Sequence, residues 1–199
     1  MVLAVGVSEI LSHVRHGDMF EAQQTTWHQV DMTPLPKHLE HLYSDAMWII
    51  IDPWQEQFCH YEHDKKTINA INNYYAHMIH QYIQHHDIQN AMVLNIDHNK
   101  YPTHKLFAEY KHIQNPYYHK VLKNMNVVFC GFHSGICINE KGVAPYTPSQ
   151  QRKRNIKVYV KTDLCCALPS NWLDTKDYKK YEYTFYDQLD AYNGQAILI

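Results

Sequence analysis

Val127-Val-Phe-Cys-Gly131-Phe-His-Ser-Gly-Ile-Cys137-Ile138 runs from a short apolar stretch to a glycine and then, six residues further on, to a cysteine. Val127 to Cys130 has the length and β-branched content of a strand buried on both faces, and Gly131 breaks it. A helix is expected to open near Cys137. A thiol at a helix start lies near backbone amides that no carbonyl of the helix can reach, and these amides favour a thiolate and can hold an oxyanion. Most free cysteines are small buried residues, so the turn alone does not make Cys137 a nucleophile.

Working outward, Ala46-Met-Trp-Ile-Ile-Ile51 is a second continuous apolar run, closed by Asp52-Pro53. From Asp64 to His86 the residues Ile68, Ile71, Tyr75, Met78, Ile79, Tyr82 and Ile83 recur at spacings of three and four, the period of one helical face, with Asp64 placed to cap its start. Ala91 to Ile96 reads as another strand, ending at Asp97. Asn115-Pro116 opens a short helix to about Lys123, and Pro145 and Pro148 limit the helix after Cys137. Lys157 to Lys161 makes a further strand that ends at Asp163, and Ala196 to Ile199 could add one more. Strands alternating with helices predict an α/β fold: a three-layer α/β/α arrangement around a mainly parallel, Rossmann-like sheet. Residues 46–199 form the domain, and 1–45 form an extension packed on it, with a short helix over Val7 to Val14 and a Pro-rich connection near residue 35. Ligands bind such sheets outside the carboxyl ends of the strands. Asp52, Asp97, the Gly131 to Cys137 turn and Asp163 are expected to converge there.

At 199 residues the chain is long enough for one sizeable core. Eighteen Lys and Arg against twenty Asp and Glu, scattered apart from Arg152-Lys-Arg154, give no electrostatic footprint for nucleic acid. No apolar stretch is long enough to span a bilayer, and Met1 to Ile10 lacks the pattern of a cleaved leader, so a cytoplasmic protein with no membrane partner is expected. Five cysteines, an odd number with Cys165 and Cys166 adjacent, do not form a secreted disulfide framework. The sixteen histidines are dispersed, so packing or solvated roles are expected for most.

The order of an aspartate after the first strand, a lysine before a helix, and Gly-x-x-x-x-x-Cys after a later strand resembles the isochorismatase-like cysteine hydrolases, which include nicotinamidases and related amidohydrolases. The resemblance covers roughly residues 46 to 168. It is carried by Ile-Ile-Ile-Asp52-Pro-Trp-Gln-Glu-Gln-Phe58, by the Gly131 to Cys137 turn, and by Val-Tyr-Val-Lys-Thr-Asp163. It implies Asp52 as general base, Cys137 as nucleophile, and the backbone amides of His133 and Cys137 as oxyanion hole, with a cis peptide at Phe132-His133. The assisting lysine is expected at Lys105, with Lys111 as second choice. The family's glutamine two residues after the aspartate is displaced here to Gln55, three residues on.

Trp54 and Phe58, beside Asp52, are expected to wall a small-molecule pocket. No cofactor is required for this chemistry. By likeness to nicotinamidases, Asp97, His98 and His104 are the candidate ligands of a divalent metal. The expected activity is hydrolysis of the C–N bond of a small amide substrate, in a protein that self-associates as a homo-oligomer. A second class stays open: a catalytically silent fold that binds a metabolite or another protein.

Overall fold

The computed structural model describes residues 33–55, 65–95, 101–115, 117–132, 134–166 and 195–199. Its centre is strand β1 (Ala46–Ile51), whose residues Trp48 to Ile51 have no exposed surface. Each such side chain is worth roughly 1.5–3 kcal/mol when buried. On one side β1 pairs in parallel with β2 (Ala91–Leu94), which pairs with β3 (Lys111–His112). On the other side it pairs with β4 (Met125–Phe132), followed by β5 (Ile156–Cys166) and β6 (Ile197–Leu198). The sheet has six parallel strands in the order β3-β2-β1-β4-β5-β6. This is the Rossmann-like α/β architecture.

Alternation along the strands sets two faces. Helix α1 (Leu42–Asp45) leads directly into β1, and α2 (Lys65–His85) returns the chain towards β2. Tyr82 of α2 packs its ring 5.8 Å from that of Trp48, so α2 covers the Trp48 face. Its buried residues Tyr75, Ile79, Tyr82 and Ile83 follow the expected spacing. The opposite face carries Ile51 and Phe129 and is covered by a helix over Ser134–Val143, the Cys137 helix. A Cβ on Gly142 would lie 2.8 Å from Ile51 Cδ1 and 3.2 Å from Phe129, a measure of how closely that helix sits. Helix α3 (Pro148–Arg154) then leads into β5, capped by Thr147 and ended by Asn155 in the left-handed region.

Leu35 and Leu42 join the same apolar cluster as the sheet. The short helix expected over 7–14 and the cap expected at Asp64 lie outside the described residues. The helix expected from Asn115 to Lys123 is a single 3₁₀ turn, Tyr118–Lys120. Asp163, expected at a strand end, lies inside β5. Phe129 pairs with Val160 but Gly131 pairs with Cys165, so two steps along β4 match five along β5 and the extra residues bulge. Within the bulge the Cys165 thiol donates to the Lys161 carbonyl at 3.1 Å, and the buried Lys161 ammonium meets Asp163 at 2.6 Å. Among the described residues no helix is long and apolar enough to cross a membrane.

Candidate active site

The strand order reverses between β1 and β4, and in sheets of this kind the crevice for ligands opens outside the carboxyl ends of the two strands that flank such a reversal. Asp52 ends β1 there. It is fully buried, with φ 46° in the left-handed region that Asp tolerates better than most residues. Its amide donates to the Leu94 carbonyl at 2.9 Å, and its carbonyl accepts from the Trp54 amide at 2.7 Å, which closes a tight turn over Pro53. Gly131 near the end of β4 has φ 122°, and a Cβ at this position would lie 2.2 Å from the Ile51 carbonyl oxygen. Only glycine lets the two strand ends approach in this way.

The Cys137 helix begins at Ser134, three residues before the expected start, so Cys137 is its fourth residue. The Cys137 amide is therefore among the first-turn donors. The helix is wound in the wide i→i+5 manner, as in the 2.7 Å bond from the Ala144 amide to the Asn139 carbonyl. Such winding is uncommon and recurs at functional sites. Lys141 lies four residues after Cys137, so both side chains share one helix face. In that winding the Tyr146 amide would donate to Lys141, but it donates to the Val143 carbonyl at 2.9 Å. The Lys141 carbonyl accepts instead from the hydroxyl of buried Tyr118 at 2.9 Å.

Lys141 Nζ reaches Asp52 Oδ2 at 2.5 Å. Cys137, 6 % exposed, lies close enough to the same carboxylate to feel its charge. Burial pushes the Cys137 thiol well above its ordinary range; the Asp52 charge and hydrogen bond push it further, Lys141 pulls it down, and Glu140 adds a small upward push. The resting sulfur is a neutral thiol beside a carboxylate. One buried carboxylate thus faces both an acid and a cation.

Asp52 and Cys137 are brought together as expected from the sequence. The ammonium that meets Asp52 belongs to neither Lys105 nor Lys111. Lys105 is exposed on a 3₁₀ turn (Lys105–Phe107), where its amide donates to Gln55 Oε1 at 3.0 Å, and Lys111 is exposed on the edge strand β3. The signal for Lys141 was its spacing of four from Cys137. Trp54 is part of the site wall: Lys141 Nζ lies 5.9 Å from its ring centroid. Its Nε1 donates to Asn95 Oδ1 at 3.2 Å, and Asn95 donates to the Tyr101 carbonyl at 2.8 Å and to Thr103 Oγ1 at 2.9 Å. His133, Phe58, Asp97 and His98 lie outside the described residues.

Both ring nitrogens of His104 have protein partners. Its Nδ1 accepts from the Leu106 amide at 3.3 Å, which leaves Nε2 to donate to Asn73 Oδ1 at 3.1 Å. Burial, then His77, Lys105 and His80, lower its pKa to about 4, so the ring is neutral and caps the 3₁₀ turn. Among the described residues no three His, Cys, Asp or Glu side chains form a metal-ligand group. Compared with known proteins, the chain matches no family model, no curated protein and no solved structure.

Proposed function

We propose that this chain is an isochorismatase-like cysteine hydrolase that cleaves the C–N bond of a small amide through an acyl-enzyme on Cys137. The observation that carries this reading is a single buried carboxylate, that of Asp52, paired with the Lys141 ammonium and acting electrostatically on the Cys137 thiol at the reversal point of the sheet. Because burial and Asp52 hold the thiol neutral, a base must remove its proton as sulfur attacks, and Asp52 is the base within reach. Lys141 stays charged and offsets the negative charge that passes between Asp52 and sulfur.

As Sγ bonds to the carbonyl carbon, the proton moves to Asp52 and the carbonyl oxygen takes up negative charge beside the first-turn amides of the Cys137 helix, that of Cys137 included. Collapse breaks the C–N bond, and Asp52 returns the proton to the departing amine. Asp52 then accepts a proton from water as that water attacks the thioester. Collapse of that adduct breaks the C–S bond, the carboxylic acid leaves, and Asp52 returns the proton to sulfur. Positioned base catalysis of this type contributes about 10²- to 10⁴-fold.

The test is intact-protein mass spectrometry after exposure to a panel of small primary amides and activated esters. The expected result is a mass gain equal to one acyl group on Cys137, absent in Cys137→Ala and much reduced in Asp52→Asn. Full turnover by Cys137→Ala would sink the thiol mechanism. The near-complete burial of Cys137 favours, as second reading, a silent fold that binds a metabolite or a protein partner. Absence of both adduct and turnover across the panel would select it.

A further inference from the structure

We propose that residues 117–124 and 152–157 form a docking surface for a short acidic segment of a partner protein, one that carries an apolar anchor. The two stretches read Tyr117-Tyr-His-Lys-Val-Leu-Lys-Asn124 and Arg152-Lys-Arg-Asn-Ile-Lys157. The fold joins them. The Asn124 amide donates to the Arg154 carbonyl at 2.8 Å, the Arg154 guanidinium donates to the His119 carbonyl, and Met125 of β4 pairs with Ile156 of β5. Six cations meet there: Lys120, Lys123, Arg152, Lys153, Arg154 and Lys157, all exposed except the half-buried Arg154. Between Glu109 and Asp163 the sequence holds one acid, Glu140, and its charge acts on Cys137. The ion pairs among the described residues, Lys141–Asp52 and Lys161–Asp163, use none of the six. Like charges gathered in this way repel one another, and an anionic ligand relieves that repulsion.

The same surface is also apolar. Val121 is 70 % exposed and Tyr117 58 %, more than any other large hydrophobic residue described, and Lys120 Nζ lies 4.2 Å from the Tyr117 ring centroid. A phosphate backbone offers Val121 nothing to bury against. Charge favours a short occupant as well. The whole chain carries −2, so the residues outside the patch carry −8. Two of those acids, Asp45 and Asp87, are exposed at the same end of the sheet, just before β1 and β2. A duplex or an anionic bilayer laid across this end meets them, whereas a short segment meets only the cations, because screening confines each charge to about 8 Å in physiological salt. The patch lies at the amino ends of β4 and β5. The eight residues of β4, roughly 26 Å of strand, separate it from the Asp52 crevice, so an occupant leaves the crevice open. The inference holds whichever way the Cys137 reading is decided.

The test is fluorescence anisotropy of the full chain with a labelled peptide of glutamates that contains two leucines, beside a counterpart in which serine replaces each leucine. Phosphatidylserine vesicles and a DNA duplex are measured under the same conditions. The leucine peptide should bind more tightly than the serine peptide, and its affinity should fall as salt is raised. Lys120→Glu/Lys153→Glu should weaken it about thirtyfold, from two attractions lost and two repulsions gained. Val121→Ser should weaken it about fivefold and leave the serine peptide unchanged. Lys37→Glu/Lys111→Glu, a reversal of the same size at two exposed lysines elsewhere, should change it less than about twofold. Each variant replaces exposed side chains and should keep the wild-type Tm. Equal binding of the two peptides, or an equal effect of the two double reversals, would reduce the patch to general charge attraction and overturn the proposal. Binding of neither peptide would also overturn it. Tighter binding of the vesicles or the duplex than of the leucine peptide would assign the surface to that partner instead.

Discussion

Replacing Lys141 by Met tests the central contact directly. Methionine keeps the length of the apolar stem and removes the ammonium. Asp52 has no exposed surface, so its carboxylate would stay buried without the cation now 2.5 Å away. Removing one partner of a buried pair costs about 3–5 kcal/mol. Lys141 retains 19 % side-chain exposure, which screens the pair and favours the lower end, about 3 kcal/mol. For a chain of 199 residues this corresponds to a fall of about 6–12 °C in Tm. Urea unfolding at neutral pH measures the change, read from the midpoint at constant slope. Asp52→Asn/Lys141→Met, which removes both charges, should recover most of the loss, whereas Lys105→Met should fall within about 0.5 kcal/mol of wild type. A Lys141→Met protein as stable as wild type would refute the reasoning. So would a Lys105→Met loss of similar size.

Three further outcomes are expected. Gly131→Ala forces a Cβ to within 2.2 Å of the Ile51 carbonyl oxygen at φ 122°, so a loss above about 4 kcal/mol or failure to fold is expected, checked by yield and thermal unfolding. Lys161→Met leaves Asp163 inside the β5 bulge without its cation and should destabilise by about 3 kcal/mol in urea, while Lys161→Met/Asp163→Leu should restore most of that loss; equal stability of the single and double variants would contradict a buried pair. His104 has a folded pKa of about 4 against 6.5 when unfolded, so the unfolded chain takes up the proton first and stability falls as pH drops from about 6.5 towards 4. The gap is worth at most about 3 kcal/mol, and with solvent screening about 2 kcal/mol is expected, seen as a shallower loss between pH 7 and pH 4.5 in His104→Gln than in wild type.

The elements legible in the sequence are those whose apolar pattern is matched by burial. Ala46–Ile51 and the helix over Lys65–His85 fall almost where their spacing put them, because each buries a full face. Strand β3 is only Lys111–His112, a polar pair ordered by its ladder with β2, and no hydrophobic period announces it. Helix α3 buries none of its residues and so carries no stripe. Its signals were local: Thr147 as cap, Pro148 in the first turn, and basic residues in the last. The helix that carries Cys137 ends at Val143, short of Pro145 and Pro148, and Pro148 also opens the next one. The bulge in β5 was hidden because it exists only in the ladder with β4, where two residue steps match five, and no local pattern in β5 announces that mismatch.

The lysine shows why a site is harder to read than a sheet. The position of Asp52 follows from where β1 ends, and that of Cys137 from Gly131, because backbone geometry fixes both. A compensating cation obeys a looser condition: it must reach the buried carboxylate, and any element lining the crevice can supply it. Chain order by resemblance pointed to the loop before β3, where Lys105 faces solvent. The helix that carries the thiol is packed against β1 and β4, so a residue one turn beyond Cys137 reaches Asp52 with no further loop to order. Using the same helix for both groups fixes their separation by helix geometry. It also leaves the ammonium at the end of a flexible stem, 2.5 Å from Asp52 Oδ2 and 5.9 Å from the centre of the Trp54 ring.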